Sequence, residues 1–458
     1  MSLQFIMGNS GSGKSYCLYD TVVREAIENP DKNYLVIVPE QFTMQTQKDL
    51  CLAHPKGGIM NIDVLSFGRL AYRVFEEVGQ DARVVLDDEG KNLVLRKIAG
   101  ECEKDLKVFK GNLKKQGYIS EVKSVLSEFA QYGVDFERLD DFMKEVPPES
   151  YLHYKLDDIR TIYEKFEEYL SEKYITKEEM LDVLSDAVPY SDILKGSVVA
   201  MDGFTGFTPV QNRLIGELFS VCEKVMITVT MDGRENPYVY EHPYQIFALG
   251  KQMVTSLMKI AGEKKTEIEE PICLFERPVY RFRDCSEMAF LETELFRYSG
   301  AKYNGSCESV SLHEVRSPGK EAKYVAESIR RLVRTKGYRY RDIAVIASDM
   351  NVYADVLEKA CASFDIPVFI DHKKSILLNS FVEYVRSLLG MIQENFTYES
   401  VFRYLRSGYC EFTEDEIDRL ENYCLALGIK GYKKWQQAWA RKTKEADEEE
   451  VELSLIHI

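Results

Sequence analysis

None of the ten cysteines stands in a C-x-x-C pair, so the spacing that builds a zinc or local iron–sulfur site is missing, and the scatter is not that of a secreted disulfide framework. The six histidines have no metal-ligand spacing either. No stretch of eighteen apolar residues occurs, and the N-terminus has neither a basic leader nor the apolar segment that would follow it. The expectation is a soluble, unexported protein of a reducing cytoplasm with no membrane contact. Positive charge is also short, with 59 Lys+Arg against 75 Asp+Glu and a net charge of −16. A broad basic surface that coats nucleic acid is thereby excluded, and any nucleic acid must be held in a local groove or with a partner's help.

What is present begins within fifteen residues. The apolar run Leu3-Gln4-Phe5-Ile6-Met7 leads directly into Gly8-Asn9-Ser10-Gly11-Ser12-Gly13-Lys14-Ser15, a G-x-x-x-x-G-K-[ST] phosphate loop. The glycines let backbone N–H groups turn around a phosphate, Lys14 can reach the β/γ-phosphates, and the Ser15 hydroxyl is a ligand for Mg²⁺. The octet follows a short buried strand and precedes an amphipathic stretch (Leu18, Val22, Val23, Ala26, Ile27) whose N-terminal dipole faces the anion. A Gly/Ser-rich turn is the plain alternative, and the strand–loop–helix context argues for ATP.

Length predicts about three domains. Residues 1–85 read as strand, helix, strand, helix: after the loop come the unbroken apolar run Tyr34–Pro39, then Glu40-Gln41-Phe42-Thr43, a strand from Met60 to Leu65, and Ser66-Phe67-Gly68-Arg69-Leu70-Ala71-Tyr72. This is a doubly wound α/β pattern. Residues 86–192 are charged and Leu/Val/Tyr-punctuated at helical spacing, as in a helical insertion, with its aromatics read as packing. The α/β pattern resumes over 193–285 with strands at Ser197–Asp202 and Val225–Thr230, so the first domain is expected to be split in sequence. The stretch 262–305 reads as a polar connection. A second α/β unit is expected over 306–375, with strands at 309–315, 343–348 and 367–371 around helices 320–334 and 353–364. Residues 376–452 read as a further helical insertion, with the acidic run Glu445–Glu452 in solvent. The ending Leu453–Ile458 reads as a non-native tail, the translation of a sequencing-transposon end joined to an interrupted gene, and is set aside with His457.

The order of these features resembles superfamily-one helicases of the UvrD/RecB type. More closely, GNSGSGKS, VIVPEQFT, SFGRLAYRVF and MDGFTGFTP are similar to the N-terminal part of the AddB family, over residues 1–445. The resemblance implies two RecA-like parallel-sheet domains with helical insertions, an AddA-like helicase-nuclease partner, and a bacterial complex that processes double-strand DNA ends. In that family the subunit binds ATP, holds single-stranded DNA and recognises the Chi regulatory sequence. The full-length family also carries an iron–sulfur cluster on a nuclease domain, and its ligands have no counterpart in this chain.

Departures from the active-helicase pattern are informative. In Asp202-Gly203-Phe204-Thr205-Gly206-Phe207 the Mg²⁺-holding Asp is present, whereas Gly203 stands at the position of the water-positioning Glu, Thr205 at that of a Gln and Gly206 at that of a second Asp. Glycine has no side chain to orient water, so the site is expected to bind ATP better than it cleaves it. For single-stranded DNA, the resemblance and the loop positions nominate Gln41 and Thr43 for hydrogen bonds, Phe67 and Phe207 for stacking, and Arg69 for a phosphate or guanine edge. They follow three strands that a parallel sheet brings to one edge. Phe42, Leu65, Leu70 and Phe204 are equally readable as core. Two other readings stand beside this one: a P-loop ATPase or phosphotransferase unrelated to DNA, for which no acceptor site or base is evident, and a scaffold with a vestigial loop, against which the intact Lys14 and Ser15 argue.

Overall fold

The computed structural model describes residues 1–79, 84–112, 115–171, 173–371, 375–437 and 439. The acidic run at 445–452 and the tail at 453–458 lie outside these residues. The described chain divides into two compact units, Met1–Ser311 and Leu312–Ile458.

The first unit is built on a sheet whose central strands are buried on both faces. Its elements are β1 (Ser2–Gly8), α1 (Lys14–Glu28), β2 (Tyr34–Ile37), α2 (Thr43–Ala53), β3 (Ile62–Leu65) and α3 (Phe67–Val78), followed by β4 (Val84–Leu86), α4 (Asp88–Cys102), α5 (Gln116–Tyr132), α6 (Phe136–Glu145), α7 (Tyr151–Leu170), β5 (Tyr174–Thr176) and α8 (Met180–Ala187). Then come β6 (Val198–Met201), α9 (Pro209–Val221), β7 (Lys224–Thr230), α10 (Ala248–Lys264), β8 (Glu267–Ile268), β9 (Ile272–Leu274) and α11 (Ser286–Glu294). Seven strands form one sheet in the order β3-β2-β6-β7-β1-β8, with β9 also beside β1, and every pairing is parallel. The α/β class and parallel sheet expected from the sequence are thus present.

Alternate residues of each strand go to opposite faces, and both faces are covered. Phe5, Met7, Leu35, Ile37, Val199 and Ile227 pack towards α3, α8, α9 and α10, whereas Ile6, Val36, Ala200 and Met226 pack against Leu18, Val22 and Val23 of α1. In register, Ile37 stands opposite both Met201 and Leu65, and Gly8 opposite Thr230. The carboxyl ends of β1, β2, β3, β6 and β7 therefore open on one edge. Two helices leaving that edge are fixed by their caps. Ser66 accepts from the Arg69 amide at the start of α3, and Thr208 with Gln211 forms a capping box that starts α9 at Pro209.

Helices α4–α7 make a separate core around Leu95, Ile98, Leu126, Ile162 and Phe166. Inside it, buried Asp158 accepts from the amides of Lys107, Val108 and Phe109 at 2.7–2.8 Å. Over 86–192, where a helical insertion was expected, the described residues form α4–α8 with the short strand β5, and α8 packs in the main core with Leu184 and Ala187. The connection expected over 262–305 differs more: it supplies β8 and β9 to the sheet, and α11.

The second unit contains α12 (Pro318–Lys336), α13 (Met350–Ser363), α14 (Ser380–Gln393), α15 (Tyr398–Leu405), α16 (Glu414–Leu427) and α17 (Tyr432–Trp435). Both helices expected in 306–375 are there. The expected strands at 309–315, 343–348 and 367–371 are not: these segments run without ladder partners, and Leu312, Ile346 and Phe369 are at least nine-tenths exposed. An apolar run becomes a strand only when a neighbour takes its N–H and C=O groups, which the described residues of this unit do not provide.

Candidate nucleotide site and nucleic-acid edge

The phosphate loop leaves β1 at the open edge, next to the end of β7. Its lysine is folded back, with Lys14 Nζ donating to the carbonyls of Gly8 (3.0 Å) and Asn9 (2.8 Å). Burial lowers the Lys14 pKa to about 8; the charge of Asp202 opposes that shift and the charge of Arg281 adds to it. The first i→i−4 bond of α1 runs from the Cys17 amide to the Gly13 carbonyl, which leaves the amides of Lys14, Ser15 and Tyr16 facing the loop without helical acceptors. Two buried polar atoms in the loop, Asn9 Oδ1 and Ser12 Oγ, have no partner. Free amides, an orphaned hydroxyl and a retractable cation fit a polyphosphate. Ser15 is exposed at the start of α1, free to meet a cation.

Asp202 directly follows β6 and is 7% exposed. Its Oδ2 accepts from the Tyr19 hydroxyl at 2.8 Å and its Oδ1 from Thr228 Oγ1 at 2.6 Å. Gly203 follows with φ +79°, a left-handed backbone, and a Cβ there would lie 3.5 Å from Pro39. The missing carboxylate is therefore a difference of backbone as well as of side chain.

Sequence reasoning missed the ceiling of this loop. The Arg281 amide donates to the Gly11 carbonyl at 3.1 Å, and a Cβ on Gly11 would approach Arg281 Cβ to 2.8 Å. Only glycine admits that approach. Next to it Tyr280 is 67% exposed, with the Arg283 guanidinium 4.4 Å over its ring. The alternation of aromatic and Arg in Tyr280-Arg281-Phe282-Arg283 was the available signal, inside a stretch read as a connection. The same segment is anchored by charge. Asn9 donates to Glu292, Glu292 pairs with Arg277, and Arg277, Arg234 and Arg297 all converge on buried Asp232 at the end of β7. Burial pushes the Asp232 carboxyl up, but the arginines outweigh it and hold it well below the usual range.

On the neighbouring loops the nominated DNA residues are brought to one edge but not equally presented. Gln41 is exposed; Thr43 is buried and donates to the Glu40 carbonyl. Phe67 is 7% exposed and packs against Phe204 and Phe207, with ring centroids 5.4 and 6.3 Å away. Phe207 is half-buried and faces a groove of about 900 Å³ between α9 and α10, which Tyr132, Arg213 and Lys259 also line. Arg69 is half-exposed and donates from Nε to Glu40 at 3.2 Å. Leu70 is core, Phe42 is 48% exposed, and Phe204 joins the aromatic trio. A second missed group is the loop between β7 and α10, where Tyr238, Tyr240 and Tyr244 are exposed and His242 stacks on Tyr244 at 4.9 Å. Among the described residues no group of three or more His, Cys, Asp or Glu side chains is placed to hold a metal.

With this geometry established, comparison with known proteins is decisive. The family model for the AddB N-terminal region matches residues 5–292. The chain belongs to the AddB family. The B-type subunit of the ATP-dependent helicase/deoxyribonuclease of Lachnoclostridium phytofermentans is 42% identical over 456 residues, covering 99% of this chain and 40% of that protein. The protein of the same description in Clostridium acetobutylicum is 34% identical over 444 residues, covering 96% and 38%. This AddB-family chain thus spans about two fifths of the length of those relatives. No helix among its described residues is long and apolar enough to cross a membrane.

Proposed function

We propose that this chain is the ATP-binding, strand-holding amino-terminal part of the AddB-type subunit of an ATP-dependent helicase/deoxyribonuclease that processes double-strand DNA ends for recombinational repair in a bacterial cytoplasm. Its partner is an AddA-like helicase-nuclease that supplies translocation, while this chain holds single-stranded DNA and recognises the Chi sequence. Residues 1–285, interrupted by the helical insertion, form the first RecA-like domain. Any iron–sulfur cluster belongs to the length of the relatives that this chain does not span.

One observation carries the reading: the phosphate loop keeps every group that cradles an anion, while Gly203, turned left-handed, stands where a base is needed. ATP would be held by the amides of Gly8–Ser15, by Lys14 once released from its own carbonyls, and by Arg281. Mg²⁺ would be held by Ser15 and Asp202. The nucleotide supplies binding free energy to this edge of the sheet. Gln41, Arg69 and Phe207, with the exposed tyrosines of 238–244, make the strand-holding face, and buried Thr43 and Phe67 support it from behind. Calorimetric titration with ATP, followed by a DNA-stimulated hydrolysis assay, tests this. Binding with little turnover and no unwinding is expected; robust DNA-stimulated hydrolysis by this chain would overturn it.

A further inference from the structure

Glu40 occupies an unusual place for an acid. It stands on the edge proposed to hold a polyanion, exposed, and it joins two of the loops there. One carboxylate oxygen accepts from Ser66 Oγ, the cap of α3, and the other from Arg69 Nε at 3.2 Å. Both partners of the ion pair are more than half exposed, so it is weak and opens readily for a better partner. Charge alone would make Glu40 a defect, because its carboxylate repels any phosphate that approaches the Arg69 guanidinium. The pair instead presents a mixed row. Each carboxylate oxygen keeps an accepting position, and among the described hydrogen bonds the guanidinium donates only through Nε, leaving the Nη pair.

A phosphate has acceptors alone and cannot satisfy that row. Among bases, adenine and cytosine each offer one exocyclic amine beside ring acceptors, and thymine one imide N–H between two carbonyls. Guanine has two adjacent donors, N1–H and the N2 amine, for a carboxylate, and two acceptors, O6 and N7, for a guanidinium. We infer that Glu40 is a specificity-determining residue that, with Arg69, makes this edge select an unpaired guanine over the other bases and over bare phosphate. The inference rests on the proposed strand-holding role and names what that face reads. Glu40 therefore acts in two directions: it lowers affinity for DNA without regard to sequence and adds affinity where a guanine is in place.

The test is fluorescence anisotropy of this chain with 15-mer oligothymidylates carrying dT, dG, dA or deoxyinosine at the centre, for wild type and Glu40→Gln. Wild type should bind the dG strand roughly tenfold more tightly than the dT strand, the lower range of a bidentate contact. Inosine, which lacks the N2 amine, should lose most of that gain, an arm that needs no variant. Glu40→Gln should bring all four strands within about twofold of one another while binding oligothymidylate more tightly than wild type. Uniform weakening of every strand by Glu40→Gln would make Glu40 a structural clamp only, and equal binding of dG and inosine strands would remove carboxylate reading; either result overturns the inference and leaves the strand-holding proposal standing. Failure of wild type to bind any strand would overturn both.

Discussion

The Tyr19 hydroxyl donates to Asp202 Oδ2 at 2.8 Å, from the first helix after the phosphate loop to the carboxylate that ends β6. With Thr228 on the other oxygen, the acid that would steady a magnesium-bound water is already engaged on both sides. Burial, and then the Asp202 charge, raise the Tyr19 pKa, so the phenol keeps its proton and remains a donor. Tyr19→Phe frees one oxygen and removes a hydrogen bond to a buried charge, which should cost about 1–3 kcal/mol in a denaturant melt. The same variant should widen the difference in ATP affinity with and without Mg²⁺ in calorimetry; an unchanged difference would show that the phenol does not compete with the cation.

Lys14 should set the pH dependence of the proposed nucleotide binding. Its ammonium is held to about 8 by burial, with Asp202 acting against that shift and Arg281 with it. Phosphates bind the protonated form, so affinity should be full below pH 8 and fall as pH rises through it, with proton uptake on binding above that point. Titrations in two buffers of different ionisation enthalpy would detect the uptake. Lys14→Ala should abolish binding, and affinity equal to wild type would remove the loop from consideration.

Restoring a glutamate at position 203 should not restore a motor. Gly203 has φ +79°, and a side chain in that region costs roughly 1–2 kcal/mol. Gly203→Glu should therefore lose stability of that order in urea and show hydrolysis no faster than wild type. A large gain in turnover would mean that the loop can re-form around the new residue.

The helical insertion carries its own acid-dependent element. Burial, and then the neighbouring charge of Glu179, raise Glu167 from 4.5 to about 7. Below 4.5 the folded and unfolded chains are both protonated there; between 4.5 and 7 the unfolded chain loses its proton while the folded one keeps it. Stability should thus fall as pH rises through that window. Glu167→Gln should flatten the profile in thermal melts, and an unaltered slope would assign the dependence to other groups.

How much of this was legible in the sequence follows from the range of each interaction. The loop at Gly8–Ser15 and the run Tyr34–Pro39 are local, each written in consecutive residues, and both were readable. Arg281 was not, because its partner Gly11 lies 270 positions away and neither residue's neighbours announce the other. Strands β8 and β9 are only two and three residues long, too short for any period, and exist because β1 offers them a free edge. Tyr19 is one polar residue on an amphipathic helix, and its partner Asp202 lies 183 positions away. The expected strands at 343–348 and 367–371 had the right composition and lacked neighbours, which composition cannot supply. Phe67 was nominated from its loop position, and its burial was not legible: it packs against Phe204 and Phe207.

Asp202 and Phe204 are separated by a single residue, and Phe204 touches both Phe67 and Phe207. Thermodynamic linkage then binds the two proposed ligands together: whatever factor ATP applies to the affinity of that aromatic edge for a strand, the strand must return to ATP. A chain that binds ATP with the low turnover proposed can still report through it, because a single intervening residue leaves little slack in which such coupling could be lost.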